Sequence, residues 1–280
     1  MKALLTSSLL VLSMLFSTDV FSREYTFGIV PQQSSAKIAR LWGPILRQLS
    51  DDTGLTLKLV TAKDIPTFEE RLADGEYDFA YMNPYHYTVF SKAPGYKALA
   101  KQKDKSIRGI IVVRKDSNAK TLADLSNSTL AFPSPAAFAA SILTRAGLSS
   151  ANVPFTPRYV SSHDSVYLAV ARGLMPAGGG VVRTFNNTDP QIREQLRIFW
   201  KTPKYTPHAF AAHPDVPVSD FKKLQTALAS LGNTEAGQAL LAAINFNGIE
   251  AATSESWNDV RALNLSVIDH SNTNRRRKCT

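Results

Sequence analysis

Apolar residues along this chain switch repeatedly between two spacings, and the switching predicts its architecture. Residues 25–30 form a short apolar run of strand length. Over residues 35–52 the apolar positions fall at Ile38, Leu41, Trp42, Ile45, Leu46 and Leu49, the i, i+3, i+4, i+7 pattern of a helix with one buried face, and Gly54 supplies a stop. Strand-like runs at 55–60 and 77–82 bracket a short helix at 66–73, which Gly75 ends. Asn83-Pro84 then places an N-cap before a proline at the first helical position, and strands follow at 96–100 and 109–114. The second half repeats this alternation with strands at 129–132, 155–160, 177–182 and 197–200. Ser134-Pro135 repeats the cap-plus-proline signal before an Ala-rich helix, Ser162 caps a helix over 163–172, and Ser219 and Thr234 open two helices in the C-terminal third. Strands alternating with helices imply right-handed crossovers and mostly parallel sheets, so the fold class is α/β.

The N-terminus does not fit this alternation. Lys2 precedes an apolar stretch, residues 9–16, broken only by Ser13, and Val20-Phe21-Ser22 offers a processing site. That layout is a secretory signal peptide over residues 1–22, too short to span a bilayer, and no later run approaches the roughly 18 apolar residues a span needs. The processed protein is expected in the periplasm. Cys279 is the only cysteine, so no intrachain disulfide forms and stability must come from packing. The formal charge is +9, and Arg275, Arg276, Arg277 and Lys278 place four of those charges in a polar, basic tail over residues 269–280. An exported chain with such a basic tail is not expected to bind nucleic acid.

Candidate chemistry gathers where strands run into helices, the place at which open α/β sheets hold ligands. Four such loops stand out: 31–34 with Gln32 and Gln33; 82–87, with Tyr81 just before it and Asn83, Tyr85 and Tyr87 within it; 132–140 with Ser134 and Ala137; and 160–164 with His163 and Asp164. Helix N-termini suit anions, tyrosines add aromatic walls with hydroxyl handles, and Arg183 offers a forked contact to an anion. Ordinary capping explains each loop taken alone. Catalytic readings find little support. No G-x-S-x-G elbow or H-E-x-x-H helix occurs, and Gly178-Gly179-Gly180 lacks the Lys-Ser/Thr of a phosphate loop. The glycine run reads as a tight strand start or a close approach of backbone to ligand. His208 and His213 have a spacing that points them to opposite faces of an extended segment, so no metal site is expected, and no cofactor.

An ordered set of stretches, FGIVPQ, LWGPILRQLSDDTG, YDFAYMNPYHY, RGIIVVRKDS, TLADL, LAFPSPAAFAAS, SHDSVYLAVARG, AGGGVV and FWKTP, runs through nearly the whole chain. It resembles the phosphate/phosphite/phosphonate-binding proteins of ABC importers, a branch of the type II periplasmic binding proteins. The resemblance implies a two-lobe fold in which each lobe is a mostly parallel sheet flanked by helices. Residues 23–106 and 204–268 would form lobe 1 and residues 107–203 lobe 2, joined by two crossing strands near 107–113 and 200–210. It also implies that Tyr87 and His163 contact the ligand, and that Thr202 stands where the family usually has serine. Two departures accompany it. The family's phosphonate binders carry a Ser-Thr-Ser cluster where this chain has Ala136-Ala137-Phe138-Ala139, and the acidic loop that follows in the family reads Pro203-Lys204-Tyr205-Thr206-Pro207 here.

The expected function is therefore a monomeric solute-binding protein, not an enzyme, that closes on a small polar or anionic ligand and serves an ABC permease. A ligand-presenting partner of a sensor kinase, an accessory docking protein and a periplasmic enzyme are the alternatives. Gln32, Tyr81, Asn83, Tyr87, Ser134 and His163 are expected to face one cavity. The lost hydroxyls predict weak binding of inorganic phosphate, phosphite and methylphosphonate.

Overall fold

In a computed structural model, which describes residues 23–266, the alternating pattern resolves into two sheets flanked by helices. The predicted leader (1–22) and basic tail (269–280) lie outside the described residues. Strand β1 (Glu24–Ile29) leads into helix α1 (Ser35–Thr53), which buries Ile38, Trp42, Ile45, Leu46 and Leu49. Gly54 ends α1 in the left-handed region (φ 69°), which costs glycine little, and its N–H bonds back to the Ser50 carbonyl. Next come β2 (Thr56–Val60), α2 (Ile65–Ala73), β3 (Phe79–Met82), α3 (Pro84–Phe90) and β4 (Lys97–Gln102). The chain returns to this lobe with β10 (Ala209–Ala212), α8 (Val218–Ser230), α9 (Glu235–Ala243), β11 (Ile249–Ala251) and α10 (Asn258–Arg261). The strand order is β11-β4-β10-β3-β1-β2.

The other lobe contains β5 (Gly109–Arg114), β6 (Ser128–Phe132), α4 (Thr144–Ser150), β7 (Phe155–Tyr159), α5 (His163–Ala171), β8 (Ala177–Val181), α6 (Val182–Asn186), α7 (Pro190–Arg193) and β9 (Leu196–Lys201), in sheet order β7-β6-β8-β5-β9. Both sheets are mixed rather than mostly parallel, which corrects the sequence expectation. β1 pairs in parallel with β2 and β3, and β6 with β7 and β8, as crossover connections require. Four of the antiparallel pairs arise where the chain changes lobes: β5 enters beside β8 and β9, and β10 returns between β3 and β4; β11 adds a fifth against β4. The two crossing segments, 103–108 and 202–208, meet in an antiparallel bridge between Ile107 and Tyr205, with N–H···O distances of 2.8 and 3.0 Å.

The Ala-rich segment begins differently from expectation. Ser134 does not cap it; its hydroxyl is buried without a partner, and the helix starts at Phe138 as a wide π-turn over Phe138–Leu143 before becoming α4. The Ala137 carbonyl accepts from both Ser141 N–H (2.7 Å) and Ile142 N–H (3.2 Å). The Ala139 and Ala140 carbonyls of this turn press on the sheet so closely that a Cβ at Gly109 or Gly179 would lie 2.1 or 1.9 Å from them. On the opposite face of β8, a Cβ at Gly178 would strike Val166 and one at Gly180 would strike Tyr167, both on α5. The glycine run therefore lets two helices approach one strand, and neither sequence reading of it, tight start or ligand approach, is what the packing shows.

Candidate functional site

The lobes meet through named polar contacts. The His163 N–H donates to the Gln32 carbonyl (3.0 Å), the Asn83 side-chain amide donates to the Ala136 carbonyl (3.1 Å), and the Arg183 guanidinium donates to the Gln32 side-chain oxygen. At the rim, the Asp164 carboxylate accepts from Ser34 N–H (3.4 Å) and lies 3.8 Å from the Lys37 ammonium, which donates to the Asn187 carbonyl. Asn245 completes the rim by donating to the Asn187 side chain. Local capping positions several of these groups. Asn83 Oδ1 accepts from His86 N–H (2.8 Å) ahead of Pro84, and the Ser162 hydroxyl accepts from Ser165 N–H (3.1 Å), which sets His163 at the first turn of α5.

Among the described residues, two cavities adjoin these polar contacts between the lobes. The smaller, about 10 Å³, has room for about one water. Its walls bring together Gln32, Asn83, Ala137 and His163, all anticipated from the sequence, with Phe138, Ala139, Ala140 and His208. Phe138 is 1% exposed and meets Tyr205 edge-on at 5.7 Å. The larger cavity, about 480 Å³, is lined by Tyr81, Gln102, Lys105, Arg108, Arg183, Asn186, His208, Asn245, Phe246 and Asn247, among others. Arg183 spans toward lobe 1, its guanidinium carbon 5.9 Å from the Tyr81 ring centroid, and Tyr81 stacks on His208 at 5.0 Å.

The two histidines that line these cavities, His163 and His208, are buried and held neutral. Burial, reinforced by the Arg183 charge, pushes His163 down to about 3, and burial followed by the Arg183 charge puts His208 well below the usual imidazole range. A neutral imidazole keeps one donor and one acceptor nitrogen. His163 Nδ1 is 3.0 Å from the Thr184 hydroxyl, while Nε2 of both rings is buried without a partner. Asp164 is raised by burial against the opposing pull of Lys37.

The remaining sequence candidates lie elsewhere. Gln33 is buried beside Asp164 at the rim. Tyr85 and Tyr87 line neither interlobe cavity; Tyr85 borders a separate pocket with Lys92 and Arg261, and Tyr87 packs on Trp257 at 4.5 Å. Ser134 lines neither cavity, and the Thr202 hydroxyl is occupied within the crossing segments, accepting from Gly109 N–H (2.9 Å) and donating to the Pro203 carbonyl. Sequence reasoning missed Lys105, Arg108 and the asparagines near 245. The available signal was a basic connector, Lys105-Ser106-Ile107-Arg108, between two apolar strands. His208 was weighed only as a metal ligand with His213, which packs on Tyr96 instead.

Comparison with known proteins matches this architecture. Residues 27–257 fit the family model for the phosphonate periplasmic substrate-binding protein of ABC transporters. The phosphate-import protein PhnD of Mycolicibacterium smegmatis is 23% identical over 245 residues, 78% of this chain and 75% of that protein. In fold, the chain is similar to a binding-protein component of an ABC phosphonate transporter from Pseudomonas aeruginosa (TM-score 0.80, 18% identity, 87% and 86% of the two chains covered). It is also similar to PhnD1 of Prochlorococcus marinus, solved with methylphosphonate (TM-score 0.77, 20% identity, 86% and 98% covered). With a two-lobe fold and a family match that spans residues 27–257, this chain belongs to the family of phosphonate periplasmic substrate-binding proteins of ABC transporters.

Proposed function

We propose that the exported, monomeric chain captures a small anionic ligand between its lobes, hands it to a membrane ABC permease and performs no chemistry on it. The observation that carries this reading is Arg183 projecting from one lobe against Gln32 and Tyr81 of the other, at a cavity that it shares with the buried, neutral His208. Arginine supplies the charge and the forked donors, and neutral imidazole adds a hydrogen bond without a second buried cation. The apolar wall at Ala136, Ala137 and Phe138 supports weak binding of inorganic phosphate, phosphite and methylphosphonate, because each donor to a charged ligand is worth about 1.5–3 kcal/mol.

A thermal-shift panel of phosphate, phosphonates, sulfate, carboxylates, amines and vitamins tests the reading on the processed protein. Binding to the native state alone stabilises by about 2.7 kcal/mol at a ligand concentration of 100 Kd, so at least one anion should raise Tm with concentration. The rise should shrink in Arg183→Met. A panel without an anionic hit, or hits indifferent to Arg183, would remove this reading.

A further inference from the structure

The larger cavity carries more positive charge than one small anion needs. Lys105 and Arg108, on the first crossing segment, and Arg183, at the start of α6, border it, and no carboxylate does. None of the three forms an ion pair with an Asp or Glu among the described residues. Arg108 Nε is buried without a partner. So is Nε2 of His208, a side chain 3% exposed that borders the same space. Lys105 is exposed and Arg108 and Arg183 are half-buried, so water screens their mutual repulsion only in part and a counter-charge between them is favoured. The surrounding wall adds side-chain amides from Gln102, Asn245 and Asn247 and apolar surface from Phe246. A volume of about 480 Å³ falls within the roughly 300–1,000 Å³ of small-molecule sites and exceeds what a methylphosphonate-sized ligand fills.

We infer that the ligand is an organic dianion, two anionic groups on a short spacer without an ammonium, bound with one group at Arg183 and the other at Arg108. This rests on the reading that the ligand sits between the lobes. Arg183, with the His208 ring beside it, takes the first group. Arg108 takes the second, with Lys105 at the mouth adding long-range attraction. The spacer lies on Phe246. An aminoalkyl ligand is disfavoured because its ammonium would face the same cations with no carboxylate to receive it.

Titration calorimetry on the processed protein, with phosphonoacetate, 3-phosphonopropionate, methylphosphonate and 2-aminoethylphosphonate, is the test. At least one of the two phosphonocarboxylates should bind tenfold or more tightly than the other two compounds, the effect of one added charged hydrogen bond. Arg108→Gln should erase about tenfold of that preference, and Arg108→Lys, which keeps the charge, should retain most of it. Circular dichroism melts confirm that both variants fold. Methylphosphonate or 2-aminoethylphosphonate binding as tightly as the phosphonocarboxylates would overturn the inference while leaving capture of an anion between the lobes intact. A preference unchanged in Arg108→Gln would overturn the role given to that residue. If none of the four compounds binds, the dianion is lost, and the broader anion panel then decides whether the interlobe reading falls with it.

Discussion

The two interlobe cavities share Ile107, Val181 and His208 yet differ about fiftyfold in volume, about 10 against about 480 Å³. The smaller is walled by the π-turn, Phe138 and three alanines, and its polar groups are neutral. The larger is walled by the crossing segments and α6, and its polar groups are cations and amides. One wall excludes water and supplies apolar contact across the lobes; the other concentrates positive charge. If ligand binds as proposed, its charged contacts come from the connectors between lobes and from α6 rather than from the start of the π-turn.

The most disruptive way to break the comparison is Phe138→Ala. The ring is 1% exposed and belongs to the same buried cluster as Trp42, Tyr81 and Phe210 of lobe 1. Its removal should cost about 3–5 kcal/mol, read as a lower urea midpoint at constant slope. A loss below about 1 kcal/mol would show that the small cavity is not held shut by packing.

Gly179→Ala comes next. Its Cβ would stand 1.9 Å from the Ala140 carbonyl oxygen, a backbone atom that cannot swing aside as a side chain can. Overpacking costs about 1–3 kcal/mol, and a clash with backbone belongs at the top of that range. Gly43→Ala, whose Cβ would meet nothing closer than the Arg47 guanidinium at 3.7 Å, is the matched control and should be close to neutral. Equal losses in the two variants would mean that the π-turn does not press on β8 as described.

Acidification separates the cavities by charge. His163 titrates near 6.5 when unfolded and about 3 when folded, so between those values the unfolded state binds more protons. Its contribution to stability is complete above about 6.5 and is lost as pH falls toward 3, amounting to about 2 kcal/mol between pH 7 and 5. His208 adds to the loss in the same direction, while Asp164, raised by burial, opposes it by binding its proton in the folded state first. Urea titrations of the wild type and His163→Gln at both pH values measure the difference. A pH response of equal size in the variant would show that His163 is not buried neutral.

These contrasts also explain what was legible in the sequence. Helix α1 and the capped starts at Asn83 and Ser162 were readable because periodicity and capping act over neighbouring residues. The mixed sheets were not, because the strands that turn antiparallel, β5 and β10, do so on account of where the crossing segments deliver them. Within the site, Gln32, Asn83 and His163 were found as loop residues at strand ends. Tyr87 carried the same local signal, yet its ring is claimed by Trp257, a residue 170 positions later. His208 gave no local signal of the site and Arg108 only that of a basic connector; the pairing of Ile107 with Tyr205 brings their segments together. Ser134 shows the converse, a cap signal that the packing of the π-turn overrides.

The smallest effect should come from Asn83, which belongs to both scales at once. Its Oδ1 caps α3 through His86 N–H, and its Nδ2 reaches across to the Ala136 carbonyl, the polar contact nearest the apolar wall. Replacing an N-cap asparagine by alanine costs about 1 kcal/mol, and an unpaired acceptor in the other lobe adds to that only in the closed form. Asn83→Ala should therefore lower global stability by about 1 kcal/mol and, separately, weaken ligand binding, since the closed form loses a contact that the open form never had. Asn83→Asp keeps the cap oxygen but sets a carboxylate against the Ala136 carbonyl, so it should spare stability relative to Asn83→Ala while weakening binding at least as much. Urea midpoints and calorimetric affinities measured on both variants separate the two roles. If affinity simply follows stability across the pair, the cross-lobe bond contributes nothing to closure.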